Sequence, residues 1–171
     1  MVNHLEQLVG EWLEYRGFFV RRNVKVKPRD QGGYDGELDI LALHPKMHRL
    51  LHVETSMDTE SWSQREVKFE RKFRLGAEAI PSILDGLKLP SEVEHIALLA
   101  YASDMTRDTI GGGRIVTLDK FLQEVFEDLA NKDIKRAIVS EVYPLLRTLQ
   151  YAWSHSKTEP PANWLNYRLA T

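Results

Sequence analysis

The sequence predicts one α/β domain, a mixed central sheet flanked by helices, with elements in the order α-β-β-β-α-β-β-α. Three observations predict it. Apolar spacing is helical over residues 3–16, drops to a period of two from residue 18, and becomes helical again at residue 61. Two alternating segments on either side of Pro45 are spaced as an antiparallel hairpin. The near-continuous apolar run from Val93 to Ala102 reads as a strand buried on both faces. At 171 residues the chain has the length of a single domain. The expected division is a core over 1–130 and a C-terminal helical extension over 131–171, packed on the same domain.

The first helix, Asn3 to Arg16, places Leu5, Leu8, Val9, Trp12 and Leu13 on one stripe. Asn3 is its cap, Glu6 the capping-box partner, and Gly17 the C-terminal stop. Phe18 to Lys27 is a strand or strand pair, with Val20, Val24 and Val26 set among basic residues. Pro28 to Gly36 reads as a loop, Glu37 to Leu43 as the second strand and Arg49 to Ser56 as the third. Ser61 to Ala79 is helical, with Trp62, Phe69, Phe73 and Ile80 on one face, and Pro81 to Ser91 is a connector. The run Gly111–Gly113 leads to a strand, Arg114 to Thr117. It lacks the Lys-Ser/Thr of a phosphate-binding loop, so it serves a tight turn. Phe121, Leu122, Val125, Phe126 and Leu129 define the next helix. A last helical pattern runs from Ile134 to about Tyr151, kinked or divided at Pro144. Pro160 and Pro161 set off a tail. Trp153, Trp164 and Tyr167 either form a homodimer surface or close the core.

Composition removes several chemistries. Zero cysteines exclude disulfides, thiolate zinc and a cysteine nucleophile, and fit a cytoplasmic location. The first residues, MVNHLEQL, do not read as a signal peptide, and no apolar run approaches membrane-spanning length. A net charge of −2 means that any contact with phosphate comes from a local patch. One such patch is Arg21, Arg22, Lys25, Lys27 and Arg29, five cations without an acid. It is either a charged guard on an edge strand or a phosphate-binding strip. The acidic segment Asp119 to Asp133 is then expected on the far side, orienting a duplex by its field.

The stretch that carries chemistry is GELDILA (36–42) followed by LHVETS (51–56). Asp39 interrupts an apolar strand, and Glu54 shares a strand face with His52 and Ser56. A carboxylate in such a strand is costly without partners. Two acids on neighbouring strands can converge, and paired carboxylates are what a hard cation requires. Such a cation activates water and neutralises charge on a phosphodiester. His44, His48 and His52 recur every four residues, but Pro45 and the hairpin argue against a helical zinc site. Ser56, His52 and Asp58 lack the nucleophile elbow of a hydrolase triad.

These segments resemble the PD-(D/E)xK nuclease superfamily, the restriction-endonuclease-like fold, and within it the Mrr-like and Holliday-resolvase-like members. The family pattern is an acid on the first helix, a G-E-[IL]-D strand, then a strand ending V-E-x-K. Glu6, GELDILA with Asp39 and HVETS with Glu54 match it, and the IALLAYAS and IVTLDKFLQ segments extend the resemblance over about residues 3–130. The resemblance implies a Mg²⁺- or Mn²⁺-dependent nuclease acting on nucleic acid, DNA first. Asp39 and Glu54 are the implied metal ligands and Glu6 an assisting acid. The family's lysine is Ser56 here, so Lys68 or Lys72 on the next helix is the implied stand-in, with Arg65 beside them. Glu6 is equally explained by the capping box, Glu37 reads as supporting, and Lys68 and Lys72 could be a solvated helix face. The alternative is a binding or structural module of the same fold without catalysis.

Overall fold

The computed structural model describes residues 3–102, 106–132 and 134–155. In chain order the elements are α1 (His4–Tyr15), β1 (Phe19–Pro28), β2 (Tyr34–His44), β3 (Arg49–Ser56) and α2 (Trp62–Ile83), then β4 (Glu94–Leu99), β5 (Thr109–Ile110), β6 (Gly113–Thr117), α3 (Leu118–Ala130) and α4 (Pro144–His155). The six strands form one mixed sheet in the order β1-β2-β3-β4-β6-β5. The first three strands are antiparallel, β3-β4 and β4-β6 are parallel, and β5 pairs antiparallel with β6. The predicted α/β class and flanking helices are the observed ones. The expected order, with its C-terminal helices, lacked one element, the two-residue strand β5.

Alternation along the strands divides the core into two layers. Ile40, Ala42, Leu51, Val53, Ile96 and Leu98 face α1, α3 and α4. Leu38, Leu41 and Leu50 face Ile80 of α2, while Ala97 and Leu99 meet Phe69 and Phe73 farther along the same helix. Asn3 caps α1 by accepting from the backbone N–H groups of Leu5 and Glu6. Glu6 answers through the Asn3 side-chain amide at 2.6 Å. Gly17, at φ 89°, ends the helix in the left-handed conformation that glycine adopts freely.

Several boundaries differ from the sequence reading. β2 starts at Tyr34 because Pro28 pairs with Tyr34 and Val26 with Gly36, which shortens the loop to five residues, 29–33. The helix α2 runs through Pro81 to Ile83, since buried Ile80 and the partly buried Ile83 and Leu84 hold its last turn on the sheet. Residues 134–143 form turns rather than helix, and Pro144 opens α4 instead of kinking it. A proline at the first helical position loses no internal hydrogen bond, which is why the helix starts there. The pattern of residues 134–143 also has other partners: Val139 N–H donates to the buried Gln150 side chain, whose amide donates to Ala137 O.

The C-terminal extension packs on the core. Buried Glu11 of α1 accepts the N–H groups of Leu145 and Leu146 at 2.9 and 3.0 Å, satisfying the start of α4. Trp153, half-buried, stacks on Phe126 of α3 with ring centroids 5.1 Å apart. Trp164, Tyr167, Pro160 and Pro161 lie outside the described residues. Among the described residues no helix is long and apolar enough to cross a membrane.

Candidate active site

Asp39 sits where the regular sheet gives way. The β2-β3 ladder ends at Ile40 paired with Val53. On the other side of β2, the pairs Arg22-Ile40 and Val24-Leu38 bracket Asn23 and Asp39, and Asn23 has φ 54°. Alternation changes phase there. Leu38 packs in the α2 layer with Val24 and Val26, whereas Ile40 packs in the α1 layer. Leu38 and Ile40, two apart on one strand, therefore face opposite layers where plain alternation would put them on one face. The phase change leaves Asp39 on the α2 side, where its Oδ2 accepts from Thr55 N–H at 2.8 Å and from the Thr55 hydroxyl at 3.2 Å. The side chain thus takes a backbone donor of β3 at the point where the strands part.

Glu54 is completely buried and spends its two oxygens differently. Oε1 lies 2.7 Å from His52 Nε2 and also accepts from Asp39 N–H at 3.4 Å. Oε2 accepts from Lys72 Nζ of α2. The same ammonium donates to Asp39 Oδ1 at 3.1 Å. The two carboxylates therefore converge on one cationic nitrogen, three-quarters of the way along a chain of polar contacts that starts at the half-buried His95. His95 Nδ1 lies 3.2 Å from His52 Nδ1. Their strands are parallel neighbours with His52 opposite His95 in register. Gly76 makes room for this arrangement, since a Cβ there would lie 2.3 Å from the His52 ring.

Burial and the Glu54 charge push the Asp39 carboxyl up to about 7, and Lys72 and Thr55 pull it back only in part. Burial opposes ionisation of Glu54 too, but the His52 hydrogen bond and Lys72 outweigh it and hold its pKa below the usual glutamate value. For Lys72, burial is outweighed by Glu54 and Asp39, and its pKa rises above that of a free lysine. His95 is pushed down to about 4 by burial and by His52. It is neutral at physiological pH and fixes His52 without adding charge.

The other candidates separate from this centre. Lys68 is bonded to Asp58 at 2.6 Å and to Glu60 at 3.3 Å. Arg65 is buried and ties Asp58 to Tyr101 O, joining the end of β3 to the end of β4. Ser56 accepts from Asp58 N–H at 3.4 Å. Glu6 stays with its cap, and the Asn23 amide, in its hydrogen-bonding orientation, donates to Glu6 at 3.0 Å and to Glu37 at 2.8 Å. Of the basic strip, Arg22 pairs with Glu14, Lys25 with Glu37, Lys27 with Glu78 and Arg29 with Asp35. Arg21 is exposed. The strip lies on β1, an edge strand, with Arg29 in the loop that follows it. The three histidines of the 44–52 run do not meet: His44 accepts from Met47 N–H and packs on Phe18, and His52 faces Glu54. His95 was not singled out in the sequence, because only the parallel register of β3 and β4 brings it to His52.

Among the described residues no group of three or more His, Cys, Asp or Glu side chains is placed to hold a metal ion. Asp39 and Glu54 supply two hard oxygens that converge, and Mg²⁺ is commonly held by one or two carboxylates with water in its remaining positions. The two carboxylates match in kind what such an ion takes, and Lys72 Nζ occupies the point between them. No family model matches the chain, and no curated protein matches it. Among solved structures, a crystal structure described as a protein of unknown function, AF1548, is similar at 11% identity and a TM-score of 0.48, over 84% of this chain and 76% of its own.

Proposed function

We propose that the protein is a Mg²⁺-dependent nuclease of the PD-(D/E)xK type that hydrolyses phosphodiester bonds in DNA. The observation that carries this reading is the convergence of Asp39 Oδ1 and Glu54 Oε2 on Lys72 Nζ. Asp39 and Glu54 would hold the divalent ion, with Mn²⁺ as a substitute. When bound, the ion supplies Lewis-acid charge and lowers the pKa of a coordinated water. The chain's own residues do the rest. His52 and Thr55 fix the two carboxylates, so little reorganisation is needed when charge develops. Lys72 keeps its proton and offsets negative charge on the phosphodiester, the role that the family pattern gives to the lysine replaced by Ser56. Lys68, engaged by Asp58 and Glu60, is not the stand-in, and Glu6 acts at its cap.

The test is cleavage of duplex DNA with Mg²⁺ or Mn²⁺ and with EDTA, together with calorimetric ion binding. The expected result is ion-dependent cleavage that Lys72→Ala lowers by about 10²- to 10³-fold, the scale of losing one oriented charge-stabilising donor. Ion binding survives in that variant, and Lys68→Ala changes little. A parent that binds the ion but never cuts, with cutting created by Ser56→Lys, overturns the nuclease reading. That outcome establishes the second one, a nucleic-acid-binding or structural module without catalysis, which the uncharged Ser56 at the motif position favours.

A further inference from the structure

We propose that the DNA backbone is tracked by the exposed face of α2 that carries Arg71 and Arg74, and not by the basic strip of β1. This inference rests on the DNA reading above and names the surface that serves it. It starts from the partners of each cation. Of the five cations of the strip, four on β1 and Arg29 just after it, four are bound to carboxylates, and three of those carboxylates, Asp35, Glu37 and Glu78, line the crevices beside α2. β1 therefore neutralises the acids along this side of the molecule. Arg71 and Arg74 are exposed and form no carboxylate ion pair among the described residues; Arg71 lies 3.4 Å from Asp35 O, and the two charges reach the Asp35 and Glu78 carboxylates only through space. What remains on α2 after pairing is Arg71 and Arg74 against the exposed Glu70, a net positive charge.

The position of that charge suits the site. A crevice of about 380 Å³ between α2 and the start of β2 is lined by Lys68, Arg71 and Lys72, so it runs from the nitrogen held by Asp39 and Glu54 out to Arg71. A second crevice, about 270 Å³, continues from Arg71 to Arg74 and Lys27. Gly36 forms part of the wall, and a Cβ there would lie 2.2 Å from Leu75 Cδ2, so the strand lies tight against the helix. Arg71 and Arg74 are one turn apart, with a rise of about 4.5 Å between them. Two long planar cations at that spacing suit neighbouring phosphates of one strand. The α3 helix, in the opposite layer, carries Asp119, Glu124, Glu127 and Asp128, so the molecule presents α2 and not α3 to a polyanion.

The experiment is the salt dependence of binding to a short DNA duplex, followed by fluorescence anisotropy in EDTA so that no ion-dependent cleavage occurs. Each neutralised phosphate contributes about 0.9 to the slope of log K against log salt. R71Q/R74Q is expected to reduce that slope by about 1.8 and to weaken binding at fixed salt by at least about tenfold. Its thermal melt and its calorimetric ion binding at Asp39 and Glu54 remain those of the parent. R21Q, an exposed cation on β1, is expected to leave the slope unchanged. A parent slope retained in R71Q/R74Q, or lost in R21Q instead, overturns the α2 surface while leaving the nuclease reading in place. A parent that binds no duplex overturns both.

Discussion

Two glutamates are buried to almost the same extent, on opposite faces of the sheet, and their surroundings differ in kind. Glu11, 2% exposed under α4, accepts from two backbone N–H groups and the Gln7 amide. Every one of those donors has a fixed charge state. Glu54, fully buried under α2, faces His52, Lys72 and, across Lys72, a second carboxylate. All of these titrate or move. A buried carboxylate held by amides fastens two elements together. One held by ionisable groups stores charge that a ligand can redistribute. Burial alone does not distinguish the two; the identity of the donors does.

The sharpest way to break this comparison is the same conservative change at both positions. Glu54→Gln is expected to lower Mn²⁺ affinity by on the order of 100-fold or more, as loss of a charged ligand exceeds the usual cost of losing an outer hydrogen bond. Glu11→Gln leaves ion affinity unchanged but costs about 1–3 kcal/mol in urea unfolding, because charge-assisted bonds to the start of α4 are weakened. Equal ion affinity in parent and Glu54→Gln would make Glu54 another structural carboxylate.

The pH dependence of stability separates the partners at the site. The Asp39 carboxyl is raised from 3.8 to about 7 in the folded chain. Between those values the unfolded chain ionises while the folded chain retains its proton. Its stabilising contribution is complete below about pH 4 and is lost as pH rises to 7. Glu54 acts in the opposite sense: its contribution is present above 4.5 and lost as pH falls through its lowered folded value. Urea unfolding of parent and Asp39→Asn between pH 4 and 8 should show the parent losing ground to the variant up to about 7 and none beyond. A constant difference across that range would remove Asp39 from the buried pair.

The smallest effect belongs to Glu6. Held by Asn3 and facing Asn23, it contacts neither Asp39 nor Glu54 in the structure. Glu6→Gln should cost a few tenths to about 1 kcal/mol in thermal unfolding and leave ion binding untouched. A loss of ion affinity in that variant would bring α1 into the site.

The site was legible where its signal is local. An aspartate inside GELDILA and a glutamate inside LHVETS break apolar strands, and alternation puts Glu54 with His52. Lys72 was legible as one of two lysines on the following helix, and choosing between them needed Asp58, which takes Lys68 away. The phase change at Asn23 was not legible, because one residue with positive φ leaves no mark in the hydrophobic pattern beyond an asparagine in a strand. Nor were the partners of the β1 cations, since Glu14, Asp35 and Glu78 come from three different elements or loops. Residues 134–143 were misread because Ile134, Ile138 and Val139 have helical spacing, while Val139 reaches the core from a turn and is fixed there by Gln150.

The bond from Glu11 to α4 also has a bearing on the order in which the fold is made. The α1 helix is synthesised before α4, yet one oxygen of its inward-facing carboxylate is met by amides that follow more than a hundred residues later. Until α4 emerges from the ribosome, docking α1 on the sheet buries a charge that lacks these two donors, a costly arrangement. The nascent chain therefore has reason to keep α1 undocked while β1 to β4 assemble with α2, and to close the opposite face last. The contact between α1 and α4 makes synthesis of α4 a condition for sealing this face of the core.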